Sequence, residues 1–116
     1  MKFLQITTTV STREAAASLG KRIVNARLAA CAQAEGPVES TYRWQGNVET
    51  ATEWRLCLKT RDDLFDPIVE MIQEAHEYEV PEIVAVELVG ISKSYADWLV
   101  SQLRVDEAHP PTGDIQ

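Results

Sequence analysis

The stretch TYRWQGNVETATEWRLCLKT, residues 41–60, decides the fold. Val38, Tyr42 and Trp44 stand at alternate positions with Glu39, Thr41 and Arg43 between them, the two-residue period of a half-buried strand. Gln45-Gly46-Asn47 then supplies a turn. On the return, Trp54, Leu56 and Leu58 share one face, and Glu53, Arg55, Cys57 and Lys59 share the other. If residues 38–44 and 48–60 pair in full, the arm spans more than ~30 Å at ~3.3 Å per residue, longer than a small domain's core needs. Surplus strand of this kind predicts pairing with another subunit.

Working outward, residues 2–10 are rich in β-branched side chains and read as a strand. Ser11 and Glu14 have the spacing of a capping box, so a helix is predicted to start there. Its apolar stripe is Ala15, Leu19, Ile23 and Ala26, through about Arg27. Residues 28–32 are apolar but short, and Gly36-Pro37 predicts a bend or bulge before Val38. Beyond the hairpin, Asp66-Pro67 fits an N-cap and first helical residue, while Asp62 and Asp63 offer an earlier turn. Leu64, Ile68, Met71, Ile72 and Ala75 make the second helical stripe.

Residues 82–89 form the almost continuous apolar run expected of a strand covered on both faces. Ser94 with Asp97 is the predicted cap of a last helix carrying Trp98, Leu99 and Leu103. The order is β-α-β-β-α-β with a C-terminal helix, and right-handed crossovers put both long helices on one face of an antiparallel sheet. The prediction is a ferredoxin-like α+β sandwich over residues 1–104, followed by a flexible acidic tail over 105–116 that contains Pro110-Pro111. The sheet's other face is left uncovered, and oligomerisation would cover it.

With 116 residues, 45% of them hydrophobic and 25% charged, the chain fits one domain whose core needs neither disulfide nor structural metal. A net charge of −7 without a Lys/Arg cluster argues against nucleic acid as a partner. No apolar run approaches the ~18 residues of a membrane span, and MKFLQITTTV reads as a strand, so the expected location is cytoplasmic. Cys31 and Cys57 lack a CxxC motif and read as buried thiols. Counting back from the turn sets Cys57 opposite roughly position 35, which disfavours a disulfide to Cys31.

Signatures of nucleotide folds and common hydrolases, such as GxGxxG, HExxH and GxSxG, are absent, and only His76 and His109 are available as bases. A non-enzyme is expected. The richest chemistry is HEYEVPEIV, residues 76–84, where His76, Glu77, Glu79 and Glu82 offer nitrogen and oxygen to a divalent cation. His76 and Glu79 share a face if the last helical turn persists, whereas Pro81 extends Val80 and turns Glu82 elsewhere. A metal site and a solvated helix end both fit. Tyr78 and Pro81 fit packing at the turn or ligand contact. Lys59 fits an edge charge or the basic member of an anion pocket with Tyr78 and Glu82. Cys31 fits a buried thiol or a soft ligand for copper or zinc. Trp44, Trp54 and Trp98 fit cross-strand or core packing.

LAAC at 28–31, YRWQG at 42–46, LKT at 58–60 and HEYEVPEI at 76–83 occur in an order and spacing that resembles the CutA divalent-cation tolerance family over residues 2–104. The resemblance implies a homotrimer in which long hairpins extend neighbouring sheets and leave clefts between subunits. It makes Cys31, Tyr42, Trp44, Glu53, Lys59, Tyr78, Pro81 and Glu82 the ligand-cleft residues. His76 and Glu79 are the candidate metal ligands, for copper or zinc. Some members of the family are thought to bind copper through cysteine and histidine. Here Thr7-Thr8-Thr9 stands where such members place a cysteine, His76 alone where they can have a histidine pair, and Glu77 in place of the usual proline. The implied function is divalent-cation tolerance through binding of a metal or a metal-linked small ligand. The alternative is a trimeric small-ligand sensor like the PII signalling proteins, or a protein-anchoring scaffold.

Overall fold

The computed structural model describes residues 1–105, so the tail from residue 106 onward, including His109 and Pro110-Pro111, lies outside the described residues. The elements are β1 (Phe3–Val10), α1 (Arg13–Asn25), β2 (Cys31–Trp44), β3 (Asn47–Arg61), a 3-10 turn (Asp62–Leu64), α2 (Phe65–Ala75), β4 (Ile83–Glu87) and α3 (Lys93–Gln102). The four strands form one antiparallel sheet in the order β2-β3-β1-β4. This is the ferredoxin-like α+β sandwich with a long β2–β3 hairpin and a C-terminal helix.

Strand alternation sends Ile6, Val10, Leu56 and Leu58 to the face where Ala16, Leu19 and Ile23 of α1 and Ile68 and Ile72 of α2 are also buried. Burying each large aliphatic side chain contributes about 1.5–3 kcal/mol. Gly20 sets how closely α1 approaches. A Cβ there would lie 3.0 Å from Ala32 Cβ and 3.2 Å from Leu56 Cδ1.

Two of the three helix caps differ from their sequence expectation, and the third is the earlier of the two starts offered. Thr12, not Ser11, caps α1, its Oγ1 accepting the Ala15 N–H at 3.0 Å. Ser11 instead donates its hydroxyl to Glu77. The helix ends at Asn25, and Arg27 adopts a left-handed φ of 60° that stops it short of the predicted length. α2 begins at Phe65, directly after the 3-10 turn, so the earlier turn at Asp62 and Asp63 is the one used and Asp66 sits inside the helix. Buried Arg61 holds that turn through Asp63 at 2.5 Å. Ser92, not Ser94, caps α3 by accepting the Tyr95 N–H at 3.3 Å, while Asp97 pairs with Lys93 at 2.8 Å.

The predicted irregularity at Gly36-Pro37 is present as a register shift between Glu35, opposite Arg55, and Val38, opposite Glu53. Cys57 therefore faces Gln33 rather than position 35, one residue of the difference coming from this shift and one from a turn of two residues, not three, between Trp44 and Asn47; both thiols are free and only half-buried, not buried as expected. The shift also changes strand parity. Cys31, Gln33 and Glu35 share the face opposite α1 and α2 with Cys57 and Lys59, and beyond the bulge Val38, Ser40, Tyr42 and Trp44 take that face. Gln45 (φ 49°) and Gly46 (φ 82°) close the arm with the positive dihedrals of a type I′ turn, so Trp44 faces Asn47.

Two burial expectations are corrected. Residues 41–50 are exposed throughout, with Tyr42 at 45% and Trp44 at 40%, because the 48 Å long molecule carries its arm clear of the helices. β4 pairs only with β1 at the sheet edge, and Val84 (50%) and Val86 (57%) are exposed rather than covered on both faces.

Candidate functional site

Where α2 ends, the chain turns extended at His76 (ψ 138°) and folds back towards β1. The backbone N–H of Tyr78 can only donate, so His76 Nδ1 accepts it at 3.0 Å. The ring proton therefore sits on Nε2 and is donated to the Thr9 carbonyl at 2.7 Å. With both nitrogens engaged, the imidazole fixes the loop to β1 and packs at a 50° tilt against the Tyr78 ring with centroids 4.6 Å apart.

Tyr78 then donates its hydroxyl to Glu53 Oε2 at 2.9 Å. Glu53 is only 7% exposed, on the face of β3 opposite α1 and α2. Burial, reinforced by the hydrogen bond to Glu53 and that carboxylate's charge, pushes the Tyr78 phenol up to about 12. A neutral, donating Tyr78 beside an accepting carboxylate is thus the resting arrangement at neutral pH.

Around this pair lies an open hollow of about 740 Å³ at the root of the arm. Tyr42, Trp44, Glu53, Tyr78, Pro81 and Glu82 all line it, six of the eight residues named as cleft-lining from the sequence. Glu79 lines it as well. Six further lining residues, Thr9, Glu39, Ser40, Thr41, Arg55 and Val80, were not among the site residues named from the sequence. Strand parity sets Arg55 beside Glu53 and was a usable signal for it; Thr9 arrives only through the fold. Arg55 is itself turned towards Glu35, at 3.6 Å.

The remaining two cleft candidates stand elsewhere. Cys31 and Lys59 face one another at the other end of the hairpin, where Lys59 Nζ donates to Gln33 Oε1 at 2.8 Å. Tyr95 of α3 is beside that thiol, its phenol pushed up by burial and by the Cys31 side chain. Lys59 is not among the residues that line the hollow with Tyr78 and Glu82.

His76 and Glu79 likewise belong to different spaces. The helical turn that would have aligned them ends at Ala75. His76 lines a second hollow of about 430 Å³ between the start of α1 and the end of α2, with Ser11, Arg22 and Glu77. Among the described residues, no three His, Cys, Asp or Glu side chains converge as a metal-ligand group.

Fold and hollow together define a ferredoxin-like α+β protein with an extended hairpin arm and an acidic, aromatic-walled recess at its root. The family model for the CutA1 divalent ion tolerance protein matches residues 4–102, and the chain belongs to that family. It is 41% identical over 96 residues to the chloroplastic protein CutA of Arabidopsis thaliana, covering 83% of this chain and 53% of that one. With the divalent-cation tolerance protein CutA of Thermus thermophilus it shares 40% over 91 residues, 78% of this chain and 88% of the other. The crystal structure of CutA1 from Oryza sativa superposes with a TM-score of 0.86 at 36% identity, covering 90% and 95% of the two chains. The chain spans about half the length of the plant relatives it matches.

Proposed function

We propose that the chain serves divalent-cation tolerance as a non-catalytic homotrimer that holds a metal-linked small ligand at the arm-root hollow, completed between subunits. The observation that carries this reading is the gathering of Tyr42, Trp44, Glu53, Tyr78, Pro81 and Glu82 around one recess, with Glu53 and Tyr78 locked together inside it. Association of copies is supported by an arm whose aromatic residues have nothing to bury them in their own subunit and by an apolar edge strand left open, and the trimer is the form proposed for it.

The metal enters this reading as cargo. A resident copper or zinc centre led by His76 does not fit the residues, since both ring nitrogens are already engaged and Glu79 borders another space. The carboxylates of Glu53, Glu79 and Glu82 suit a cation that arrives with its own partial ligand set, and the aromatic residues suit the organic part.

Calorimetric titration with copper and zinc, each alone and with a small chelating ligand such as citrate, tests this on protein whose trimeric state is established by light scattering. Saturable binding that Glu53→Gln weakens and His76→Ala leaves in place supports it. No saturable heat below millimolar in an intact trimer removes the metal from the function and favours a PII-like sensor or a scaffold. A stable monomer at micromolar concentration overturns the architecture.

A further inference from the structure

Two free, half-buried thiols stand at the base of the hairpin, and neither lines the hollow. Cys31 of β2 faces Lys59 of β3, and Gln33 of β2 faces Cys57 of β3, so these four side chains form a square on the face opposite α1 and α2. The cysteines hold one diagonal of the square, and Lys59 with Gln33 holds the other. Diagonal neighbours in an antiparallel pair lie about 7–8 Å apart, whereas a disulfide needs Cβ atoms about 3.5–4.5 Å apart. The two sulfurs are thus too widely set to bond to one another. An ion between them suits the spacing better, because two metal–sulfur bonds of about 2.3 Å span up to about 4.6 Å.

The surroundings select the kind of ion. Among the described residues no three His, Cys, Asp or Glu side chains converge, so no imidazole, carboxylate or further thiol joins this pair. A tetrahedral zinc site would lack half its ligands here. Two soft sulfurs alone suit a soft monovalent ion that accepts two-fold coordination. The other contacts of these sulfurs are weak: Cys57 Sγ lies 3.9 Å from Thr7 Oγ1, and the Tyr95 side chain stands beside Cys31. Two thiolates and one monovalent cation leave a net negative charge in a half-buried place. Lys59 is positioned to balance it, since its Nζ donates to Gln33 Oε1 at 2.8 Å and so carries the ammonium across the gap between the thiols.

We propose that Cys31 and Cys57 form a two-coordinate site for a soft monovalent cation of the copper(I) and silver(I) class, with Lys59 as its charge-balancing neighbour. On binding, each thiol releases its proton to solvent as its sulfur bonds the ion, and the oxidation state of the ion does not change. Both ligands come from one hairpin, so the site needs no residue of another copy. It is separate from the arm-root hollow and does not depend on the reading of that hollow.

Anaerobic titration of the full, reduced chain with copper(I), in competition with the cuprous chelator bathocuproine disulfonate, tests it. The expected result is one copper(I) per chain, displaced by silver(I) and not by zinc. Cys31→Ser and Cys57→Ser should each weaken binding by more than about a hundredfold, since each removes a ligand and not an outer-shell partner. Lys59→Met should weaken it by about tenfold. Glu53→Gln, in the hollow, should leave it unchanged. Should a serine variant fail to fold, X-ray absorption at the copper edge of the unaltered protein carries the test. Two sulfur neighbours in a linear arrangement support the site, and any nitrogen neighbour or a higher coordination number overturns it. Copper(I) held as tightly by Cys57→Ser marks a lone thiol and overturns the inference, as does one ion shared between chains or equal competition by zinc.

Discussion

The two ends of the β2–β3 hairpin obey the same alternating pattern and meet opposite fates. At the base, Leu56 and Leu58 are buried beneath the helices, whereas at the tip Tyr42, Trp44 and Val48 stand exposed. Alternation specifies which side chains share a face but not what will cover that face. At the base the cover is α1 and α2; at the tip the subunit itself supplies none.

Truncation should separate the two ends most strongly. Leu58→Ala should lower unfolding stability by about 2–5 kcal/mol, because the sheet and helices cannot collapse into the space left. Val48→Ala should cost well under 1 kcal/mol if the arm stays in water, and about 1 kcal/mol or more if another copy buries it. Denaturant unfolding at several protein concentrations checks both. A Val48→Ala effect that grows as the assembly forms would locate the missing cover.

The next effect belongs to the junction between the ends. Unfolded tyrosine loses its proton near pH 10, whereas folded Tyr78 holds it to about 12. The contribution of this group to stability is therefore constant below pH 10 and is lost as pH rises from 10 towards 12, by on the order of 1 kcal/mol once solvent screening is allowed for. The advantage of the unaltered protein over Tyr78→Phe should be flat to pH 10 and shrink above it. An advantage that does not change between pH 10 and 12 would mean that burial and Glu53 together do not hold Tyr78 neutral.

At the bulge, a Cβ added to Gly36 would meet the Trp54 ring at 2.7 Å. Gly36→Ala should cost about 1–3 kcal/mol through the shift forced on that ring. It should also disturb the hollow, since the parity change there brings Tyr42 and Trp44 to the face of Glu53. Loss of stability together with altered tryptophan fluorescence is expected. A neutral substitution would show that the bulge has slack.

These residues also mark what could be read from the sequence. The turn, the bulge and the parity of β3 follow from short-range rules, so Gly46, Gly36-Pro37 and Leu56 disclosed themselves. The helix caps were displaced by one or two residues, because Ser11 and Thr12, or Ser92 and Ser94, are chemically similar and only backbone direction selects between them. The run that became β4 promised burial without saying by what, and its own subunit does not supply it. For the hollow, resemblance supplied the residue set and strand period supplied the face. The convergence itself depends on the Tyr78–Glu53 bond and the His76 tie to Thr9, both far apart in sequence. The same distance explains Cys31 and Lys59, which share the face of Glu53 opposite α1 and α2 but lie at the other end of the hairpin from the hollow.

The smallest effect tests the tip alone. Gly46 adopts φ 82°, and a Cβ added there would meet nothing within 4 Å, so Gly46→Ala introduces backbone strain without a clash. The strain is about 1 kcal/mol, consistent with the left-handed penalty for a residue bearing a Cβ. Because the arm carries the tip clear of the helical core, that cost should appear as faster amide exchange at Asn47 and its neighbours while the amides of β1 keep their protection. If β1 loosens equally, arm and core form one cooperative unit, and the contrast between the two ends of the hairpin is one of exposure and not of stability.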